Sequence, residues 1–155
     1  MAKKIFTDLD LQTNKVTNLA TPSVSTDAAT KGYVDSVSGG GSKPGIATLT
    51  YPGTLTVGVG ISRFYMPVAG TITKIIASVG TAPTGLPIII DILKNGTTIY
   101  PTNPGNRPTI AVSTNVVFPT NPDTTAFAAN DYFTVQIVQV GATTAGTDAV
   151  IQIVF

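Results

Sequence analysis

The chain has 155 residues, room for one main domain with a buried core and a small appendage. Charged residues make up 11% of it, against about a quarter in an ordinary globular protein, and nine Lys and Arg against eight Asp leave a net charge of +1. That balance gives no electrostatic footprint for nucleic acid and no basic patch for an anionic membrane, and no apolar run reaches the ~18 residues of a spanning helix, so neither nucleic acid nor membrane insertion is expected.

The residue types missing from the chain say as much as those present. There is no His, no Cys and no Glu. The commonest general base, the thiolate nucleophile and the usual metal ligands are therefore absent, and no catalytic residue, cofactor or metal ion is expected. Glu favours helix interiors whereas Asp favours caps and turns, so an all-Asp acid set agrees with a helix-poor fold. The start, MAKKIFTDLDL, has basic residues with no apolar stretch behind them, which implies a soluble chain without a cleaved signal. So little charge on a soluble chain points either to a well-packed monomer with a Thr/Asn/Gln-rich skin or, the favoured reading, to a surface partly covered by copies of itself or by a larger assembly.

Residues 1–24 hold two short extended fragments. Ile5, Leu9 and Leu11 space the first, and Val16 and Leu19 the second. Neither can be stable alone. Ser25–Val37 is the one convincing helix signal. Thr26 or Asp27 can cap it, and Ala29, Tyr33 and Val37 recur every four residues with Val34 beside them. A helix of about ten residues carrying Gly32 does not persist alone in water, so Ala29, Tyr33, Val34 and Val37 are expected to be an oligomer or attachment interface. Residues 36–45, SVSGGGSKPG, cannot belong to a packed element at reasonable entropic cost. The expected division is a module at 1–38, a Gly-rich linker at 39–45 and a body at 46–155.

The body reads as about eight to ten short strands with turn signals between them, the spacing of an antiparallel sandwich or barrel. Ile46–Tyr51 and Thr54–Val59 are separated by Pro52-Gly53. Ser62–Val68 sets Phe64, Met66 and Val68 against Arg63 and Tyr65. The clearest hairpin runs from Leu86 to Tyr100 around Asn95-Gly96, a pair suited to a type I′ turn. That turn sets Lys94 opposite Thr97, Leu93 opposite Thr98 and Ile92 opposite Ile99. Ile88, Ile90, Ile92 and Ile99 then share a buried face, with Ile89, Asp91, Leu93 and Tyr100 outward. A loop with three prolines follows at 101–108. In a later strand Phe133, Val135 and Ile137 face inward, and the chain closes on a strand with Ile151, Ile153 and Phe155, so its end is expected to be tied into the sheet.

Asp123, Asp131 and Asp148 fall at turns or strand starts, where Asp is expected to accept backbone hydrogen bonds rather than to catalyse or hold calcium. Tyr65, Tyr100 and Tyr132 fall at outward or edge positions. There they can contact a surface ligand by stacking on sugar rings, or serve only as good strand residues with a polar handle.

Lys15-Val16-Thr17-Asn18-Leu19-Ala20 followed by Ser25-Thr26-Asp27-Ala28-Ala29-Thr30-Lys31-Gly32-Tyr33-Val34-Asp35 resembles a segment common in bacteriophage fibre proteins, KITNLADPTADTDAATKKYVD. The likeness covers about 20 residues and implies a trimeric element near the attachment end of a virion fibre. Gly32 stands where that pattern has a polar residue, so no long shaft is expected. Gly70–Thr73, Ala77–Gly85, Asp91-Ile92, Lys94–Ile99, Asn130-Asp131 and Gln139–Gly141 resemble jelly-roll-like domains of phage minor structural and fibre proteins. The resulting expectation is a mainly β protein: a jelly-roll-like antiparallel β-sandwich head behind a small strand-plus-helix module. Its implied role is that of a non-enzymatic phage virion protein of tail- or head-fibre type, assembled in the host cytoplasm. It would be a homotrimer docked to other virion proteins, with its head available for host attachment, including to a host surface glycan. The alternatives are a capsid decoration protein and a carbohydrate-binding module.

Overall fold

The computed structural model describes residues 18–24, 26–37 and 44–155. The expected fragments around Ile5–Leu11 and Lys15–Thr17, and the Gly39–Gly41 joint, lie outside the described residues. The chain divides into two compact units, Met1–Lys43 and Pro44–Phe155.

In the first unit the one helix, α1, spans Lys31–Val37. It begins later than the sequence implies, because Thr30 is its cap: the Thr30 hydroxyl accepts the Tyr33 amide at 3.1 Å. Asp27 is engaged elsewhere. Its carboxylate accepts the Ser23 and Val24 amides at 2.8 and 3.1 Å and closes a local turn.

The second unit is built from eleven strands: β1 (Ile46–Thr54), β2 (Gly58–Tyr65), β3 (Gly70–Thr71), β4 (Lys74–Ser78), β5 (Ile88–Lys94), β6 (Thr97–Thr98), β7 (Thr109–Ile110), β8 (Val116–Val117), β9 (Ala126–Phe127), β10 (Tyr132–Gln139) and β11 (Thr147–Val154). One sheet has the order β1-β11-β4-β8. The other is β2-β10-β5-β6, with β7 also on β5, and β3-β9 is a separate ribbon. The pairings nest: β1 with β11, β2 with β10, β3 with β9, β4 with β8 and β5 with β7, all antiparallel. The chain is thus one long hairpin folded over itself, the strand order of a jelly roll.

Period-two alternation fills the space between the sheets. Ala47, Leu49, Ile75, Ala77, Ile151 and Ile153 come from one sheet and Ile88, Ile90, Ile92, Phe133, Val135 and Ile137 from the other, each at most 1% exposed. Phe127 stands edge-on to both Phe133 and Phe155. Asn95 and Gly96 take φ of 51° and 84°, the type I′ values, and the register Lys94–Thr97 and Leu93–Thr98 is the one the turn demands.

Three details depart from the sequence reading. Pro52-Gly53 does not end a strand. β1 runs through it as an irregularity, with Gly53 at φ 77° and its amide donating to Asp148 at 2.8 Å. Gly45 belongs to the head rather than to a linker, since it exchanges two backbone bonds with Phe155, at 2.7 and 2.9 Å. That exchange also ties Phe155 to the sheet. The face of β5 carrying Asp91 and Leu93 is covered, at 2% and 8% exposure. β6 and β7 lie along one edge of β5, and the chain between them folds back so that Arg107 meets Asp91.

Tyr100 belongs to that same covering segment, and this corrects its assignment as a surface contact. It is 1% exposed, its amide is held by the Thr98 hydroxyl, and its own hydroxyl has no hydrogen-bond partner among the described residues. Burial, reinforced by the nearby Asp91 carboxylate, pushes that phenol well above its ordinary pKa. Tyr100→Phe removes a buried hydroxyl that makes no bond, so it is expected to leave stability unchanged or raise it by up to ~1 kcal/mol. Ile90→Ala, which empties the middle of the core, is expected to cost about 2–5 kcal/mol. Urea unfolding of the two variants checks both values; a loss above ~1 kcal/mol for Tyr100→Phe would contradict this reading.

Candidate functional site

Polar side chains in the head mostly hold backbone. Asp91 accepts the Thr98 hydroxyl at 2.8 Å, Arg107 Nε at 3.0 Å and a second Arg107 nitrogen at 2.9 Å, so this nearly buried carboxylate is fully paired. Both Arg107 nitrogens meet the same carboxylate oxygen, Oδ2, and this charge-assisted contact fastens the 99–108 segment across sheet β2-β10-β5-β6. Asp123 accepts the amides of Thr102 and Asn103 at 2.8 Å and the Asn103 side-chain amide at 2.6 Å. Asp131 accepts the Ala128 amide at 2.8 Å and the Asn95 side-chain amide at 2.7 Å, tying the β9–β10 turn to the hairpin tip. Asp148 accepts the Gly53 amide. These are the backbone-holding roles expected of turn aspartates. Among the described residues no three groups gather as a metal site would require.

These bonds favour the charged carboxylates. Asn103 holds Asp123 below its usual pKa, the Ala128 amide does so for Asp131, and the Gly53 amide for Asp148.

Of the three tyrosines read as ligand contacts, two come together. Tyr65 and Tyr132 face each other across β2 and β10, with ring centroids 5.6 Å apart and planes tilted by 46°. Arg63 lies over the Tyr132 ring, 4.9 Å from its centroid. Tyr132 therefore has neighbours at its ring, and Tyr65, 58% exposed, is the more open of the two. The tilt and the short separation leave no slot between the rings for a sugar. The sequence placed Arg63 beside Tyr65 on β2 but gave no sign that it would lie over Tyr132.

In the first unit Ala29 precedes α1 rather than lying on it. Val34 is 45% exposed, Tyr33 is half-buried, and Val37 ends the helix, its side chain outside the described set. The i, i+4 face read from the sequence is thus shortened to the part from Tyr33 onward.

The exposed surface the sequence reading missed lies on β2 and just before it. Val57, preceding β2, and Val59 and Ile61 on it are 65%, 56% and 95% exposed. The sequence broke this segment into two strands at Val59 and so gave Ile61 no face. Opposite the Pro52 end of β1, Thr50, Tyr51, Pro52, Val59, Gly60 and Ile61 line an open cleft of about 240 Å³. At Gly60 a Cβ would stand 3.1 Å from the Tyr51 ring and 3.3 Å from the Val135 carbonyl oxygen, so a larger residue fits there only if those neighbours give by a few tenths of an ångström.

Aspartates whose pKa values are lowered by folding stabilise the head above the unfolded value of about 3.9 and lose that contribution as pH falls through the lower folded values. Thermal melts are therefore expected to be flat from pH 7 to about pH 5 and to drop below about pH 4. A melting temperature unchanged down to pH 2.5 would show that these clasps do not stabilise the fold.

Comparison of the chain with protein-family models, with curated proteins and with solved structures found no match in any of the three.

Proposed function

We propose that the protein is a non-enzymatic structural component of a bacteriophage virion. It is a fibre-type homotrimer that docks to other virion proteins through its N-terminal unit and presents the jelly-roll head outward. The observation that carries this reading is the division of the chain. A self-contained jelly roll follows a small unit that contains a seven-residue helix. A helix of that length gains little from its own hydrogen bonds and needs packing against something else. The phage-fibre resemblance of Lys15–Asp35 falls on this same unit.

Two further observations support the reading. The head's aspartates accept hydrogen bonds that hold its loops and strand edges, a structural use that suits a virion component. Tyr65, an exposed aromatic side chain of the head, offers a contact for a host surface.

Light scattering of the full-length protein tests the assembly. The expected mass is about 48 kDa, three times the 15.9 kDa chain, at micromolar concentration. Val34→Asp is expected to shift it toward the single chain while leaving the thermal melt of the head in place. A 15.9 kDa particle for the unmodified chain would overturn the trimer.

A further inference from the structure

The tip of the β5–β6 hairpin holds a reactive pair. Asn95-Gly96 is the only Asn-Gly sequence in the chain, and both residues are exposed. Glycine has no side chain to shield its amide nitrogen, so that nitrogen can attack the preceding carboxamide. A bond forms from the Gly96 nitrogen to Asn95 Cγ, the Cγ–Nδ2 bond breaks, and Nδ2 leaves as ammonia with the Gly96 amide proton. Water then opens the cyclic imide at either carbonyl and leaves aspartate or isoaspartate at position 95.

Two features of the fold oppose that closure. The ring needs Asn95 Cβ and the Gly96 nitrogen on the same side of the Asn95 Cα–C bond. A type I′ turn, which Asn95 enters at φ 51°, has ψ of about 30° there and holds them on opposite sides. The carboxamide is also pinned at both ends. Its Nδ2 donates to Asp131 Oδ1 at 2.7 Å, and its Oδ1 accepts the Tyr132 amide at 3.0 Å. The Asn95 amide donates to the Tyr132 carbonyl at 2.9 Å. Asp131 is fixed in turn by the Ala128 amide at 2.8 Å and lies 4.0 Å from Lys94.

We propose that Asn95 is a modification site gated by this clasp: it cyclises onto Gly96 when the hairpin tip opens, and the product is not clasped again. A carboxylate at position 95 presents an oxygen to Asp131 where Nδ2 now donates, which sets two negative groups against each other. The reaction therefore marks chains whose tip has opened, and Asp131 is the positioning residue that delays it.

Peptide mass spectrometry of the full chain, incubated in alkaline buffer that favours the attacking nitrogen, follows the conversion. Position 95 is expected to convert at least ~10-fold more slowly in the folded chain than in the same chain unfolded in urea. Folded Asp131→Ala should convert ~10-fold faster than the folded unmodified chain, whereas Asp123→Ala, which removes a clasp elsewhere, should not. Asn95→Asp, which carries the charge of the product, should melt about 3 °C or more below the unmodified chain. Equal rates in folded and unfolded chains overturn the gate, and that comparison needs no variant to fold. A folded Asp131→Ala chain converting at the unmodified rate, or Asp123→Ala accelerating as much, overturns the role of Asp131. An unchanged melt in Asn95→Asp contradicts the loss of the clasp in the product.

Discussion

Everything in the head depends on the closure of its outermost pair. β1 and β11 lie side by side from Ile46–Val154 to Thr54–Thr147, and Gly45 and Phe155 extend the pairing by two more backbone bonds. Inside that pair each successive strand finds a partner closer in sequence, down to the hairpin at Asn95-Gly96. Only the innermost turn is local. The rest forms by bringing distant segments together, which costs loop-closure entropy before core burial offsets it. Such a fold is cooperative by construction. The sheet β1-β11-β4-β8 cannot bury Leu49, Ile75 or Ile151 unless the other sheet supplies Ile90, Ile92 and Phe133 against them.

The parts of this architecture legible in the sequence are those set by local chemistry. Asn95-Gly96 fixed the hairpin register because positive φ at both positions admits few other residues. Alternation alone found the inward faces of β5, β10 and β11. The errors have a common origin in contacts from far along the chain. Tyr100 looks outward if β6 continues as a strand. It is buried because the chain leaves the sheet after Thr98 and returns only at Thr109, with Arg107 anchored on Asp91 between them. Ile61 falls between the two strands read from the sequence, but in the structure it continues the outward alternation of Arg63 and Tyr65 along a single β2. The cap of α1 was misplaced because Asp27, a good capping residue by type, is already used by Ser23 and Val24.

The low charge content takes on a physical meaning in this fold. The head's aspartates serve as clasps, Arg107 is joined to Asp91, Lys94 lies 4.0 Å from Asp131, and Arg63 and Lys74 sit over the Tyr132 and Phe118 rings. Charge is spent on internal order, and much of the remaining surface is neutral or apolar. That is an unusual surface for a protein that works alone in solution and a natural one for a component of a larger particle. Under the proposed reading, assembly falls to the N-terminal unit, while the head contributes shape.

Electron cryomicroscopy of the proposed phage particle carrying this chain is the most direct test. Three-fold density is expected, in which the residues around α1 meet the particle and the jelly roll stands away from it. A jelly roll seated on the particle surface with the N-terminal unit pointing outward would contradict the proposal, as would a single copy at each site.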